Sequence, residues 1–131
     1  MAATIELEIA TPERQLVRES VTDVQVPAKG GYLGILPGHA ALLGLLGSGT
    51  LAYTAGGRKQ YLAIQGGFME VSEDHVRVLA DIAEPAAEID VARAQADLTR
   101  AQVEETGADP ETALKAAALA TARIETAGHA G

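Results

Sequence analysis

The 131-residue sequence contains no cysteine and no tryptophan, and it has only one phenylalanine and three tyrosines. Without cysteine there can be no disulfide bond, thiolate metal site or cysteine nucleophile. With so few aromatic rings, the chain also lacks the flat surfaces on which a sugar-binding sandwich stacks its ligand. These absences remove several classes of enzyme and binding protein.

Positive charge and long apolar runs are scarce as well. Ten Lys and Arg residues stand against eighteen Asp and Glu, so the formal net charge is −8. We expect no nucleic-acid partner, because this charge repels phosphate backbones. No apolar run approaches about 18 residues, and the N-terminus has neither a basic start nor an apolar segment, so we expect neither a spanning helix nor a secretory signal. The 47% of apolar residues predict a real core.

Short strands are predicted throughout the first 84 residues. Residues 4–9 alternate polar with apolar side chains, which is the pattern of a half-buried strand. Two strand pairs are predicted to meet at the turn residues Gly56-Gly57 and Ser72-Glu73-Asp74. Short strands with turn residues about every 8 to 12 positions are typical of an antiparallel sandwich or barrel.

The sequence changes character at Pro85. Residues 86–131 hold fifteen alanines against seven Leu, Ile and Val residues, and alanine has the highest helix propensity. We therefore predict two parts, a sandwich over residues 1–84 and a helical part over residues 85–131.

Two helices are predicted in the second part. Asp90 is placed to cap a helix over residues 91–105, and Gly107 is placed to end it. Asp109 is placed to cap a second helix over residues 110–127, and the short link makes an αα-hairpin. The large apolar residues of the second helix are spread around its axis, so the sequence indicates no packing face for it.

No known catalytic motif is present, and His39, His75 and His129 lie in three unrelated contexts. Glu73, Asp74 and His75 together could be read as metal ligands. This cluster lies at a predicted hairpin turn, however, where Asp is ordinary turn chemistry. We therefore predict neither catalysis nor a metal site.

One apolar segment cannot be a single strand or helix: residues 34–46, GILPGHAALLGLL. Pro37 and Gly38 predict a turn that brings the leucines on its two sides close together. Because a strand buries only alternate residues on one face, part of this run is expected to leave apolar surface at one end of the sandwich. Complete burial of the run stays open as the alternative.

Three segments, GILPGHAALL, GGFMEVSEDHVRVLADIAE and IDVARA, occur in this order and resemble the epsilon subunit of F-type ATP synthases. The resemblance covers essentially the whole chain and is strongest in the first part. One departure is Ala41, where the family usually has a second proline. The resemblance implies a β-sandwich of about ten short antiparallel strands followed by a C-terminal α-helical hairpin, which agrees with the pattern-based prediction.

The resemblance also implies a function. Such a subunit is non-catalytic, lies in the rotating central stalk on the gamma subunit and the c-ring, and couples proton-driven rotation to ATP synthesis. In many members the hairpin extends towards the beta subunit and inhibits ATP hydrolysis, so residues 85–131 would be regulatory. Peripheral attachment at the cytoplasmic face of a bacterial inner or plasma membrane is implied, with an organellar origin left open.

Docking to the c-ring is implied for the turn that begins at Leu36. The residues concerned are Leu36, Pro37, Gly38, His39 and Leu42. An apolar turn suits a stable docking surface, because burial contributes about 25 cal/mol per Å² before association costs are subtracted.

ATP is implied as a regulatory ligand, and no cofactor is required. The segment IDVARA resembles the family's nucleotide-binding signature, and arginine suits phosphate because its planar fork donates paired hydrogen bonds. The residues to which ATP binding is assigned are Glu84, Ile89, Asp90, Arg93, Ala94, Arg100 and Arg123. From the residues alone, Asp90 is also explained as a helix cap, and Arg93 as the i,i+4 partner of Asp97.

Two further features bear on function. From Glu88 onward, eight acidic residues stand against only four basic ones, which predicts weak electrostatic capture of the hairpin by the beta subunit. The alternative function is a free-standing ATP-sensing module that uses the same Asp90 and Arg93. Exposed apolar surface would argue against such a sensor, which has no use for it.

Overall fold

A computed structural model of the chain describes residues 3–103 and 109–130. Strands come first and helices follow, as predicted. The strands are β1 (Ile5–Ala10), β2 (Gln15–Val21), β3 (Asp23–Ala28), β4 (Gly31–Ile35), β5 (Leu42–Leu45), β6 (Ser48–Ala55), β7 (Arg58–Ser72) and β8 (His75–Pro85). A short 3₁₀ helix at Ala86–Glu88 leads into α1 (Val91–Val103) and α2 (Pro110–Ala130).

One continuous sheet, in the order β2-β1-β8-β7-β6-β3-β4, folds over to make the two layers of the sandwich. The fold-over is visible in β7, which pairs with β6 over residues 58–65 and with β5 over residues 68–71. Between these two stretches Gly66 and Gly67 both have positive φ. A Cβ atom on Gly67 would lie 2.1 Å from the carbonyl oxygen of Leu79, so only glycine fits at this corner.

The core lies between the two layers and is built from alternate residues of the strands. Its largest fully buried side chains are Ile5, Leu7, Ile9, Val21, Val24, Val26, Ile35, Leu51, Leu62, Ile64, Met69 and Val76. Each Leu, Ile, Val or Met buried in this way contributes about 1.5–3 kcal/mol. The first part of the chain therefore has a complete core of its own.

The predicted fold class, a β-sandwich followed by a helical hairpin, is confirmed. Eight strands occur among the described residues, where about ten short ones were predicted, because β7 and β8 run unbroken through the corner. One pairing is parallel, between β1 and β8, whereas only antiparallel strands were predicted. Both predicted hairpin turns form, with positive φ at Gly56-Gly57 and at Glu73-Asp74.

The helix starts also follow the prediction. The Arg93 amide donates to the Asp90 carboxylate at 3.1 Å, so Asp90 caps α1. At the second start, α2 begins at Pro110 as predicted, but the Asp109 carboxylate accepts from the Thr112 hydroxyl at 3.2 Å and not from a backbone amide of the described residues. The predicted end of the first helix, between Glu105 and Gly107, lies outside the described residues. None of the described helices is both long enough and apolar enough to cross a bilayer.

The packing face of α2, which the sequence did not indicate, is the face that meets β6 and β7. Ala122 and Thr126 of this face are buried, and the hydroxyls of Thr126 and Thr50 are 2.8 Å apart. The buried Gln65 donates to the carbonyl oxygen of Lys115 at 2.8 Å. The ring of His129 also stacks on that of Tyr61, with centroids 4.4 Å apart. Small and polar side chains therefore dock the helix on the sheet.

Candidate functional site

The turn between β4 and β5 lies on the exterior of the sandwich. The His39 amide donates to the carbonyl oxygen of Leu36 at 3.1 Å and closes the turn, and Gly38 has a φ of 85°. Leu36 is 64% exposed, Gly38 is exposed, and Pro37, His39 and Leu42 are half-buried. Of the five residues predicted for docking, Leu36 and Gly38 are thus exposed, whereas Leu42 packs against the core.

A second apolar surface crosses three neighbouring strands on the outer face of the sheet. Leu45 of β5 lies opposite Phe68 of β7, and Phe68 lies opposite Leu79 of β8. Leu43 extends this row along β5; the exposed fractions are 70% for Leu43, 60% for Leu45, 45% for Phe68 and 37% for Leu79. We call these four residues the outer strip.

The sequence interpretation missed Phe68 and Leu79. The signal was available in the strand alternation, because Met69 and Val71 are buried, and their neighbours must therefore point outward. Leu43 and Leu45 belong to the run for which some exposed apolar surface was predicted. The run is thus divided between core and surface, and Leu46 is one of its buried members.

A row of charged residues borders the outer strip. Glu8 accepts hydrogen bonds from His75 at 2.8 Å and from Arg77 at 3.2 Å. The hydrogen bond from His75, which has the larger effect, and the one from Arg77 hold the pKa of Glu8 below its usual value. Across the strands, Arg18 lies opposite Glu8, and Arg77 lies opposite Glu70. His75, considered above as a metal ligand, is thus part of an ion-pair cluster.

The residues predicted to bind ATP lie around the junction of β8 with the two helices. A cavity of about 380 Å³ is lined by Glu84, Glu88, Asp90, Arg93, Ala94, Asp97 and Arg123. Two predicted residues do not line it. Ile89 is half-buried just before α1, and Arg100 lines a neighbouring cavity of about 250 Å³ between the helices. Four carboxylates and only two guanidinium groups surround the main cavity.

Arg123 ties α2 to the end of the sandwich. Its Nε atom lies 2.5 Å from a carboxylate oxygen of Glu84, and its Nη1 atom lies 4.0 Å from Asp97. Asp97 also pairs with Arg100 at 3.2 Å. The i,i+4 pair of Arg93 with Asp97 is not among the ion pairs of the described residues, because Asp97 points instead towards Arg100 and Arg123.

Metal binding has no structural support in residues 3–103 and 109–130, where no three His, Asp or Glu side chains are grouped suitably for an ion. A sandwich that exposes large apolar side chains on its outer face, with a helical hairpin folded against it, has surfaces of the kind that mark protein–protein contacts.

Comparison with known proteins identifies the family. The family model described as the beta-sandwich domain of the ATP synthase Delta/Epsilon chain matches residues 4–86. An ATP synthase epsilon chain from Solibacter usitatus is 62% identical over 97% of this chain and 98% of its own length. Another from Koribacter versatilis is 48% identical over 67% of this chain and 62% of its own length. The chain belongs to the epsilon-chain family of ATP synthases, which is non-catalytic, as predicted.

Solved structures show the same architecture. A chain in the Euglena gracilis mitochondrial ATP synthase, in a structure of OSCP, F1 and c-ring, is 26% identical with a TM-score of 0.78. The match covers 98% of this chain and 81% of that one. A chain from the Tetrahymena thermophila enzyme has the same fold at 16% identity and a TM-score of 0.61, over 96% of this chain and 95% of that one.

Proposed function

We propose that this chain is a rotor subunit in the central stalk of an F-type ATP synthase, where it couples proton-driven rotation to ATP synthesis. The observation that carries the proposal is the exposure of large apolar side chains at two places: the outer strip and the turn of residues 36–41 between β4 and β5, which we call the Leu36 turn. A coupling subunit must hold two partners at once, and it needs one surface for each. A free-standing ATP sensor would need neither surface, so we do not favour that alternative.

The outer strip binds the gamma subunit. Its four large apolar side chains lie on adjacent strands and make one continuous surface, as expected for the centre of a protein interface. The charged row of Glu8, Arg77 and Glu70 beside it supplies a polar rim. The flatness of a sheet face suits a broad and permanent contact.

The Leu36 turn meets the c-ring. It projects Leu36 from one end of the sandwich and is too small for a broad interface. A small projecting apolar turn instead suits insertion between the loops of a neighbouring ring. These contacts would hold the chain peripherally at the cytoplasmic face of a bacterial membrane, in keeping with the bacterial sources of its relatives.

Charge insertion at each surface tests the two assignments. Phe68→Glu should lower the affinity for the gamma subunit at least tenfold, or about 1.4 kcal/mol, because it buries an unpaired carboxylate. Leu36→Glu should leave this affinity unchanged and weaken attachment to the c-ring. Leu114→Glu is the matched control, since Leu114 on α2 is 72% exposed and belongs to neither surface. Equal behaviour of Phe68→Glu and the control would contradict the proposal.

ATP is a regulatory ligand of the cavity at the junction, and the docked hairpin is the state that it favours. Arg93 on α1 and Arg123 on α2 both line this cavity, and phosphate oxygens can accept hydrogen bonds from both helices at once. Arg123 is already paired with Glu84, and four carboxylates line the cavity. We therefore expect the affinity to be modest.

Titration of the full chain with ATP tests this assignment. Arg93→Ala should weaken binding about tenfold, as expected for the loss of a charge-assisted contact. Glu84→Gln should strengthen binding, because it releases Arg123. Arg18→Ala, on the sheet, is the control for a change in net charge. Unchanged affinity in both cavity variants would remove ATP from the proposal.

The hairpin reaches the beta subunit when it leaves the sandwich, and in that extended state it slows ATP hydrolysis. Support comes from the docking contacts of α2, which use small and polar side chains such as Ala122 and Thr126 in place of large apolar ones. The acidic excess of the hairpin makes its capture by the beta subunit weak.

A further inference from the structure

One tertiary hydrogen bond, made to a side chain, joins the Leu36 turn to the rest of the sandwich. The Gly38 amide donates to the carboxylate of Asp74 at 2.6 Å. Among the hydrogen bonds of the described residues, this is the one that joins residues 36–40 to another part of the fold. The partner comes from 36 residues further along the chain, so the contact is tertiary.

Asp74 is itself firmly held. It occupies the second position of the two-residue turn between β7 and β8, with a φ of 60° that Asp tolerates better than most residues. Its carbonyl oxygen accepts from the Glu6 amide at 2.9 Å, which fixes it to the start of β1. The carboxylate therefore extends from a rigid support.

The surroundings of the turn show why such a bond matters. Leu36 and His39 lie along a small crevice whose other walls include Ile5, Val71 and Asp74. Leu36 is mostly exposed, so apolar packing alone fixes it poorly. A charge-assisted hydrogen bond is stronger than a neutral one and holds the turn in a single orientation. A surface that is ordered before binding loses less entropy on binding.

We propose that Asp74 is a positioning residue for docking to the c-ring: it holds the Gly38 amide and thereby presents Leu36 and His39 in the orientation that the ring meets. This inference rests on the proposed function of the turn. Asp74 need not touch the ring, because it acts through the backbone of Gly38.

The test uses the full chain bound to the gamma subunit and measures its affinity for the purified c-ring of the same enzyme. Asp74→Ala should lower this affinity roughly tenfold, since a hydrogen bond to a charged group is lost. Its affinity for the gamma subunit should stay unchanged. Asp74→Asn keeps an oxygen acceptor and tolerates the positive φ, so it should restore most of the binding.

Glu73→Ala is the matched control. Glu73 lies in the same turn with a φ of 42°, so its replacement brings a similar backbone penalty without touching Gly38. If Asp74→Ala and Glu73→Ala bind the c-ring equally well, the positioning role is overturned. It is equally overturned if Asp74→Ala weakens binding of the gamma subunit to the same extent, since Asp74 would then only stabilise the fold.

Leu36→Glu separates this inference from the proposed function. If Leu36→Glu weakens c-ring binding and Asp74→Ala does not, the docking turn stands and Asp74 is not its positioning residue. If neither variant weakens it, the docking assignment itself fails. The wild-type chain gives a readout that needs no variant: the Gly38 amide should exchange with solvent more slowly than an exposed amide. Rapid exchange there would overturn the inference.

Discussion

At the scale of single residues, Tyr53 connects two strands that are not neighbours in the sheet. Its ring is buried, and its hydroxyl donates to Glu19 at 2.9 Å, which joins β6 to β2. Burial of the ring, followed by the hydrogen bond to Glu19 and the negative charge of that residue, raises the pKa of Tyr53 above its usual value. The neutral phenol is therefore favoured in the folded state.

The sign of the resulting pH dependence follows from this shift. The contribution of Tyr53 to stability is complete below a pH of about 10 and is lost as the pH rises through the higher pKa of the folded state. Tyr53→Phe should lower the free energy of unfolding at neutral pH by about 1 kcal/mol and flatten its decline in alkali. Urea unfolding at a series of pH values measures both effects. An unchanged alkaline slope in Tyr53→Phe would contradict the assignment.

At the scale of elements, the contact of α2 with the sheet is unusual in how little large apolar surface it uses. Ala122 and Thr126 face β6 and β7, and the hydroxyl of the buried Thr126 lies 2.8 Å from that of Thr50. An alanine methyl contributes only about 0.8 kcal/mol on burial. The paired hydroxyls and the Gln65 contact therefore decide whether the helix stays docked.

Thr126→Val tests the docking of α2 with almost no change in shape. It leaves the Thr50 hydroxyl without its partner, so docking should weaken by about 1 kcal/mol, roughly a fivefold shift in the equilibrium. Amide hydrogen exchange should accelerate in α2 and stay unchanged in β7. Thr121→Val on the exposed face of the same helix is the control. If both variants exchange alike, the buried hydroxyl pair does not hold the helix.

The same elements show how far sequence reasoning reaches. The turns at Gly56-Gly57 and Glu73-Asp74 and the cap at Asp90 were predictable, because each depends on a few neighbouring residues. The parallel pairing of β1 with β8 and the change of partner along β7 were not, because they depend on residues far apart in the chain. The packing face of α2 could not be predicted, because it consists of small residues, which give little hydrophobic periodicity along a helix.

In the candidate sites, too, features that depend on neighbouring residues were predictable, and contacts between distant residues were not. The Leu36 turn was predictable from Pro37 and Gly38, whereas its connection to Asp74 could not be read from a separation of 36 residues. The cavity residues were identified by resemblance, but their ion pairs were not, since the partner of Arg123 depends on how the hairpin packs.

At the scale of the whole molecule, the sandwich and the hairpin are predicted to be energetically separate. A chain that ends at Ala87 keeps the whole apolar core of the sandwich and loses the small and polar contacts through which α2 docks. It should stay soluble, unfold cooperatively and support coupled ATP synthesis, with changes confined to the regulation of ATP hydrolysis. Urea unfolding and reconstitution of the enzyme measure these properties. Loss of cooperative unfolding would show that the hairpin is part of the core.

The folded-over sheet also determines how the sandwich resists mechanical force. Because β7 and β8 pass from one layer into the other, a force applied at the Leu36 turn is borne by rows of backbone hydrogen bonds between strands. Such a force does not separate two independent sheets. At the corner, Gly66 and Gly67 join the two layers through the continuous backbone of β7. The connection at residues 86–90 lies beyond this network of strand pairs, and it is the covalent link between the sandwich and α1.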